Sequence, residues 1–170
     1  KLLADKPALL LPRFAGQHLQ RNAITPAICT CMGTALAGFH RVGQSFGLRR
    51  QGHRGYHWWQ RLGPQVSDHL PEADRHLLLD TINAYRTLRQ TQPELPTGVI
   101  HGDLFHDNAL FDQGELSAII DLYNASHDYL LFDLAIMVND WCTDAAGYLK
   151  GELAQALLLA YHRHRPFTTT

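Results

Sequence analysis

The stretch VIHGDLFHDNALF at 99–111, with the LSAIID that ends at Asp121, limits what this chain can fold into more than any other segment. His101, Asp103, His106, Asp107 and Asn108 stand between apolar pieces of strand length, and DQGE separates ALFD from LSAIID. That spacing predicts a β-hairpin. With its turn centred on Gln113-Gly114, Leu110 faces about Ser117 and Asn108 faces about Ile119. Asp121 then emerges beside His106–Asn108 at the open end, and Asp103 lies on the loop feeding the first strand. Three oxygen-bearing side chains converge on one small volume.

Oxygen donors in that number, with water completing the shell, suit Mg²⁺ better than zinc. Magnesium sites of this spare kind borrow ligands from substrate phosphates. A neighbouring carboxylate can accept a hydroxyl proton while the metal neutralises charge on a transferred phosphoryl group. The 11 histidines raise zinc as an alternative, but no second cluster stands at ligand spacing, which ranks zinc below magnesium. Asp107 and Asp112 read as solvated turn residues, and Asp128 as the cap of a helix starting at Tyr129.

Around this centre the chain reads as mostly helical. PALLLPRFAG (7–16) predicts a short buried strand released through Gly16. Thr25-Pro26 provides an N-cap and a first-turn proline for a helix over roughly 26–46, with Ile28, Met32, Leu36, Phe39 and Val42 at helical period. The segment 47–63 has no clean period and is expected to be a loop with at most one short turn. A second helix is expected from Ser67 or Pro71 to about Gln90, and two more after Asp128, in YLLFDLAIMVNDWC and GELAQALLLAYHRHR.

Composition narrows the function. A net charge of −1 offers no electrostatic reason for a nucleic-acid or anionic-membrane partner, and no apolar run approaches the roughly 20 residues that span a bilayer. A cytoplasmic setting is the simplest expectation. Cys29, Cys31 and Cys142 are too few and too oddly spaced for a disulfide framework, so free thiols are expected.

The pattern His-x-Asp-x-x-x-x-Asn, with a separate Asp at the end of a hairpin, matches the catalytic and metal-binding parts of the kinase fold. Phe105 stands where protein kinases commonly carry Lys, DLY replaces Asp-Phe-Gly, and no Ala-Pro-Glu follows. HGDLFHDN instead resembles the small-molecule branch, the aminoglycoside phosphotransferase and choline kinase-like enzymes. Within it, GVIHGDLFHDNALF, IIDLYNASHDYLLFDLAIMVNDWC and GTALAGFHRVG resemble the homoserine kinases of bacterial threonine biosynthesis.

The resemblance implies an α+β, mostly helical, protein kinase-like C-terminal lobe over 17–170, preceded at 1–16 by the last strand of an N-terminal lobe and its hinge. It implies Asp103 as the base for the acceptor hydroxyl, and Asn108 and Asp121 as holders of Mg²⁺ on the ATP phosphates. His101 would brace the loop, and Asp133 would hydrogen-bond the loop backbone from a helix start. The backbone near Arg13 and Phe14 would pair with adenine. Arg54, in GHRGYHWW, suits either an acceptor-pocket wall or a plain surface loop. Asn139 or Asp140 suits the amino-acid pocket, while Trp141 reads as core.

The function so implied is ATP-dependent phosphorylation of the L-homoserine hydroxyl, with the oligomeric state left open. Alternatives are another small-molecule kinase acting on choline, an aminoglycoside or a similar alcohol, a metal-dependent phosphohydrolase, and a non-catalytic nucleotide-binding module. The phosphate-covering loop, strand lysine and helix glutamate of a kinase N-terminal lobe are not found here, and Lys1 and Lys6 lie at the wrong end of the hinge strand. The chain is therefore expected to be part of a longer enzyme and to turn over poorly by itself.

Overall fold

A computed structural model describes residues 2–47 and 49–167. Lys1, Leu48 within the expected loop, and the 168–170 end of the expected lobe lie outside them. Two strands, β1 (Leu2–Leu3) and β2 (Lys6–Pro7), form a minimal antiparallel pair. Helix α1 (Pro26–Gly43) follows, then α2 (Tyr56–Ser67), α3 (Glu72–Thr91) and β3 (Thr97–Ile100). The hairpin is β4 (Ala109–Asp112) and β5 (Glu115–Ile119). After it come β6 (Ser126–Tyr129), α4 (Leu130–Trp141) and α5 (Gly151–His164).

Helix α1 starts where the sequence expects it. Thr25 is extended, its Oγ accepts from the Ile28 amide at 3.4 Å, and Pro26 fills a first-turn position whose amide needs no partner. One face buries Cys29, Met32, Leu36 and Ala37 against α4 and α5, where Trp141, Met137, Leu157 and Tyr161 are also buried. Each large side chain so buried contributes about 1.5–3 kcal/mol. Gly33 permits the close α1–α5 approach, since a Cβ there would lie 2.2 Å from the Leu157 carbonyl oxygen. Helices α2 and α3 form a second antiparallel pair, joined to α4 through an aromatic cluster in which Trp59 meets Tyr85 and Phe132 at ring separations of 5.2 and 5.4 Å.

The expected strand over 7–16 is corrected. Regular pairing ends at Pro7, and Leu9, Leu10 and Leu11 stand in solvent, Leu10 at 97% exposure. Among the described residues no further strand lies alongside, so the run has neither a hydrogen-bonding edge nor an apolar face to bury against. The loop over 47–63 is corrected too. Helix α2 begins at Tyr56, because Gly55 ends the loop and Tyr56 buries against the α3 side of the aromatic cluster. Pro64 sits inside that helix, and with Gly63 it hides the period.

Strand β6 was not expected. It pairs antiparallel with β3, Thr97 opposite Tyr129 and Ile100 opposite Ser126. This pair closes the base of an excursion, residues 101–125, that carries Asp103, Asn108 and Asp121. Asp128 is therefore a strand residue and not the cap of α4: its Oδ1 accepts from Arg89 at 2.6 Å and from the Tyr129 amide at 2.8 Å.

The β4–β5 hairpin turns at Gln113-Gly114, both at positive φ. Its register is one residue off the expectation: Leu110 faces Ala118 and Ala109 faces Ile119, with a bulge between Leu110 and Phe111 absorbing the extra residue. The turn side keeps the expected register, and the shift falls on the open end. The Ile120 amide donates to the Asn108 carbonyl at 3.0 Å, so Asp121 follows directly beside Asn108.

Candidate active site

The loop 101–108 has little regular structure of its own, so its shape must come from side chains that satisfy its backbone. Asp133, fully buried in the first turn of α4, is the main one. Its Oδ2 accepts from the His101 amide and its Oδ1 from the Gly102 amide, both at 2.7 Å. Gly102 adopts φ +77°, and a Cβ there would lie 3.0 Å from the Asn124 carbonyl, so this bend needs glycine.

A carboxylate with no exposure needs more than two amides, and α1 supplies the rest. His40, equally buried, places Nε2 3.0 Å from Asp133 Oδ2, with Nδ1 2.8 Å from the Tyr161 hydroxyl on α5. A neutral imidazole satisfies both ends: Nε2–H donates to the carboxylate, and Nδ1 accepts from the phenol. Burial pushes the Tyr161 phenol up, more than Arg165 opposes it, which keeps it a donor. Three helices thus meet behind the loop through one continuous hydrogen-bonded line.

Further ties hold the rest of the loop. The His101 ring lies 2.9 Å from the Ile120 carbonyl, which clamps the end of β5 just before Asp121. The buried Trp141 indole donates to the Leu104 carbonyl at 3.0 Å. Asp140 accepts from the His106 amide at 2.6 Å, from the His106 ring at 2.8 Å and from Arg21 at 2.7 Å. Burial raises the Asp140 carboxyl, but the His106 amide and ring and the Arg21 guanidinium together outweigh it and hold it below the usual range.

That depressed value has a measurable consequence. The folded state binds the charged form of Asp140 more tightly than the unfolded chain does. Its stabilisation is therefore present at neutral pH and disappears as pH falls through the folded value, below the ordinary Asp value of about 4. The urea midpoint of Asp140→Asn is expected to lie below wild type at pH 7, with the gap closing as pH falls below the ordinary Asp value. A gap that is the same at both ends of that range defeats this account of Asp140.

The chemistry-bearing groups face outward from this frame. Asp103 is half-buried; its Oδ2 accepts from Asn124 Nδ2 at 3.0 Å, and its Oδ1 has no partner among the described residues. Asn108 donates Nδ2 to the Asp103 carbonyl at 2.7 Å, which leaves its Oδ1 free to face a cation. Asp121 is exposed at φ +59°, a left-handed conformation that Asp tolerates better than most residues, and its carboxylate makes no hydrogen bond among the described residues. Asn108 Oδ1 and the Asp121 carboxylate are hard oxygen donors of the kind that Mg²⁺ takes. No three His, Cys, Asp or Glu side chains gather in ligand geometry among the described residues.

The structure does not bring all the expected site residues together. Arg13 and Phe14 lie in exposed coil, Phe14 at 46% exposure, and the linker returns to the fold at Gln17, which exchanges two 2.9 Å backbone bonds with Phe111 of β4. Asn139 is exposed on α4, and both oxygens of Asp140 are occupied by His106 and Arg21. Arg54 lines a cleft with Gly102 and Asn124 next to Asp103. Sequence reasoning missed His40, Tyr161, Arg21 and Asn124. His40 was legible as a polar residue in the buried stripe 29–32–36–40, where a lone histidine needs a partner.

Residues 2–167 match the phosphotransferase enzyme family, APH. The chain belongs to that family. Among the curated members, the homoserine kinase of Pseudomonas aeruginosa is 42% identical over 167 residues, 98% of this chain and 52% of its own length. The homoserine kinase of Methylobacillus flagellatus is 40% identical over 166 residues, 98% of this chain and 51% of its own. The chain spans about half the length of the curated relatives it matches. An aminoglycoside-3′-phosphotransferase of type VIII superposes with TM-score 0.67 at 19% identity, over 93% of this chain and 62% of that one. A choline/ethanolamine kinase family protein from Mesorhizobium loti gives 0.64 at 18%, over 86% and 48%. These likenesses agree with the α+β, mostly helical kinase-type fold expected from the sequence. No helix of the described residues is long and apolar enough to cross a membrane.

Proposed function

We propose that this phosphotransferase moves the γ-phosphoryl group of ATP to the side-chain hydroxyl of L-homoserine. One observation carries the reading furthest. Asp103 has one carboxylate oxygen oriented by Asn124 and the other open, on a loop whose backbone is held by Asp133 and Trp141 of α4. An oriented carboxylate with a free oxygen is what a base needs to take a hydroxyl proton as the phosphoryl group arrives. The homoserine kinase names of the relatives at 42% and 40% identity support the choice of acceptor.

Asn108 Oδ1 and Asp121 would hold Mg²⁺, which when bound offsets the negative charge of the ATP phosphates. The backbone at Arg13–Phe14 would meet the adenine, since its amides and carbonyls are unpaired among the described residues. The chain's own work is then positioning: the rigid loop sets the angle of Asp103, and the hairpin sets Asp121 against Asn108.

The test is ADP release by the complete gene product with Mg²⁺-ATP and a panel of L-homoserine, choline and an aminoglycoside. Homoserine is expected to show the highest kcat/KM, about a hundredfold or more above the others, because a site that pairs polar substrate groups rejects acceptors lacking them. Choline or the aminoglycoside ahead of homoserine overturns the acceptor.

A further inference from the structure

Beside Asp103, the cleft lined by Arg54, Gly102, Asn124, Ser126 and Asp128 holds three acceptor oxygens that the fold does not use. Asn124 gives its Nδ2 to Asp103, and its buried Oδ1 has no partner. Asp128 spends Oδ1 on Arg89 and the Tyr129 amide, while Oδ2 has no hydrogen bond among the described residues. Ser126, on the same strand, has a hydroxyl without a partner among them. An orphaned buried acceptor such as Asn124 Oδ1 is costly in a folded protein, and two further oxygens without partners among the described residues line the same cleft.

The loop over this cleft is built to leave it open. A Cβ at Gly52 would sit 3.0 Å from Ser126 Oγ, and one at Gly55 would sit 3.7 Å from Asp128 Oδ2. Side chains at either position would occupy the space that those oxygens face. Between the two glycines Arg54 is exposed and makes no ion pair or hydrogen bond among the described residues. The Asp128 position is itself stiff: Arg89, its ion-pair partner, lies over the rings of Tyr129 and Tyr56 at 4.8 and 5.4 Å.

Three acceptors, one of them anionic, match a primary ammonium group with its three donors, and a free guanidinium matches a carboxylate. A quaternary ammonium has no N–H to give them. We infer that the acceptor enters as a zwitterionic amino acid, its ammonium group held by Asn124 Oδ1, Ser126 Oγ and Asp128 Oδ2, its carboxylate by Arg54. The inference rests on the phosphotransfer reading above and adds the residues that select the acceptor. It places the two ends of the amino acid on opposite sides of the cleft and turns its hydroxyl towards Asp103.

The experiment compares acceptors that lack one end. γ-Hydroxybutyrate is homoserine without the ammonium group, and aminopropanol is homoserine without the carboxylate. For Asp128→Asn in the complete gene product, the kcat/KM ratio of homoserine to γ-hydroxybutyrate is expected to fall about ten- to hundredfold, with Ser126→Ala giving a smaller fall. For Arg54→Gln, at an exposed position that folding does not depend on, the ratio of homoserine to aminopropanol is expected to fall about tenfold. Variants that lose rate equally on both acceptors of a pair, while wild type still phosphorylates homoserine, overturn this pocket and leave the reaction standing. A wild type that ignores homoserine and phosphorylates choline overturns both.

Discussion

Asp103→Asn in the complete gene product is expected to leave about a hundredth to a ten-thousandth of the wild-type turnover, with folding intact. One oxygen of the Asp103 carboxylate has no partner among the described residues, and removing a positioned base costs about 10²–10⁴ in rate. The substitution is nearly isosteric. Its side-chain neighbour is Asn124, whose amide still finds an oxygen on the new side chain, so the unfolding free energy from urea titration should move by no more than about 0.5 kcal/mol. Rate and stability therefore separate. A variant that keeps its turnover removes Asp103 from the chemistry, whatever else the loop does.

The second large effect lies behind the loop. Asp133→Ala deletes the acceptor for the His101 and Gly102 amides and the partner of His40, with His40 and His101 fully buried. Breaking a buried charged network by removing one member costs about 3–5 kcal/mol. Turnover should collapse together with stability, because Asp103 follows directly on the two amides that lose their anchor. Urea unfolding measures the first part and ADP release the second. A loss below about 1 kcal/mol would mean that the loop is shaped by His101, Trp141 and Asp140 alone. His40→Gln, which retains a donor towards Asp133, should fall between wild type and Asp133→Ala.

The hairpin and its turn were legible because they depend on local spacing. The gap from Asp103 to Asn108 and the turn at Gln113-Gly114 are short-range features, and a hairpin converts them into a meeting point whatever surrounds it. The bulge at Leu110/Phe111 slips the register at the open end by one residue, yet Asp121 still follows the residue whose amide bonds to Asn108. Asp133 was legible only through family resemblance. The pairing of His40 with it across 93 residues has no local signature beyond a polar residue in an apolar stripe.

The misreadings have a common physical origin. Residues 7–16 look like a strand because local apolarity favours one, but a strand needs an edge to pair with, and that is a long-range property. Helix α2 was hidden because Gly63 and Pro64 are poor helix formers, tolerated where its aromatic face packs on α3 and α4. Strand β6, with the sequence SHDY, has only Ser126 and Tyr129 buried, so it offers too little alternation to be seen. The role of Asp140 followed from the same blindness: its partners Arg21 and His106 lie 119 and 34 residues away.

The buried line from Tyr161 through His40 to Asp133 also bears on the entropy of catalysis. A flexible loop must be ordered each time substrate arrives, and that ordering subtracts about 1–2 kcal/mol per residue from binding. Here the loop's freedom is surrendered once, at folding, when α1, α4 and α5 come together. On the phosphotransfer reading, substrate would then meet a loop that is already in place.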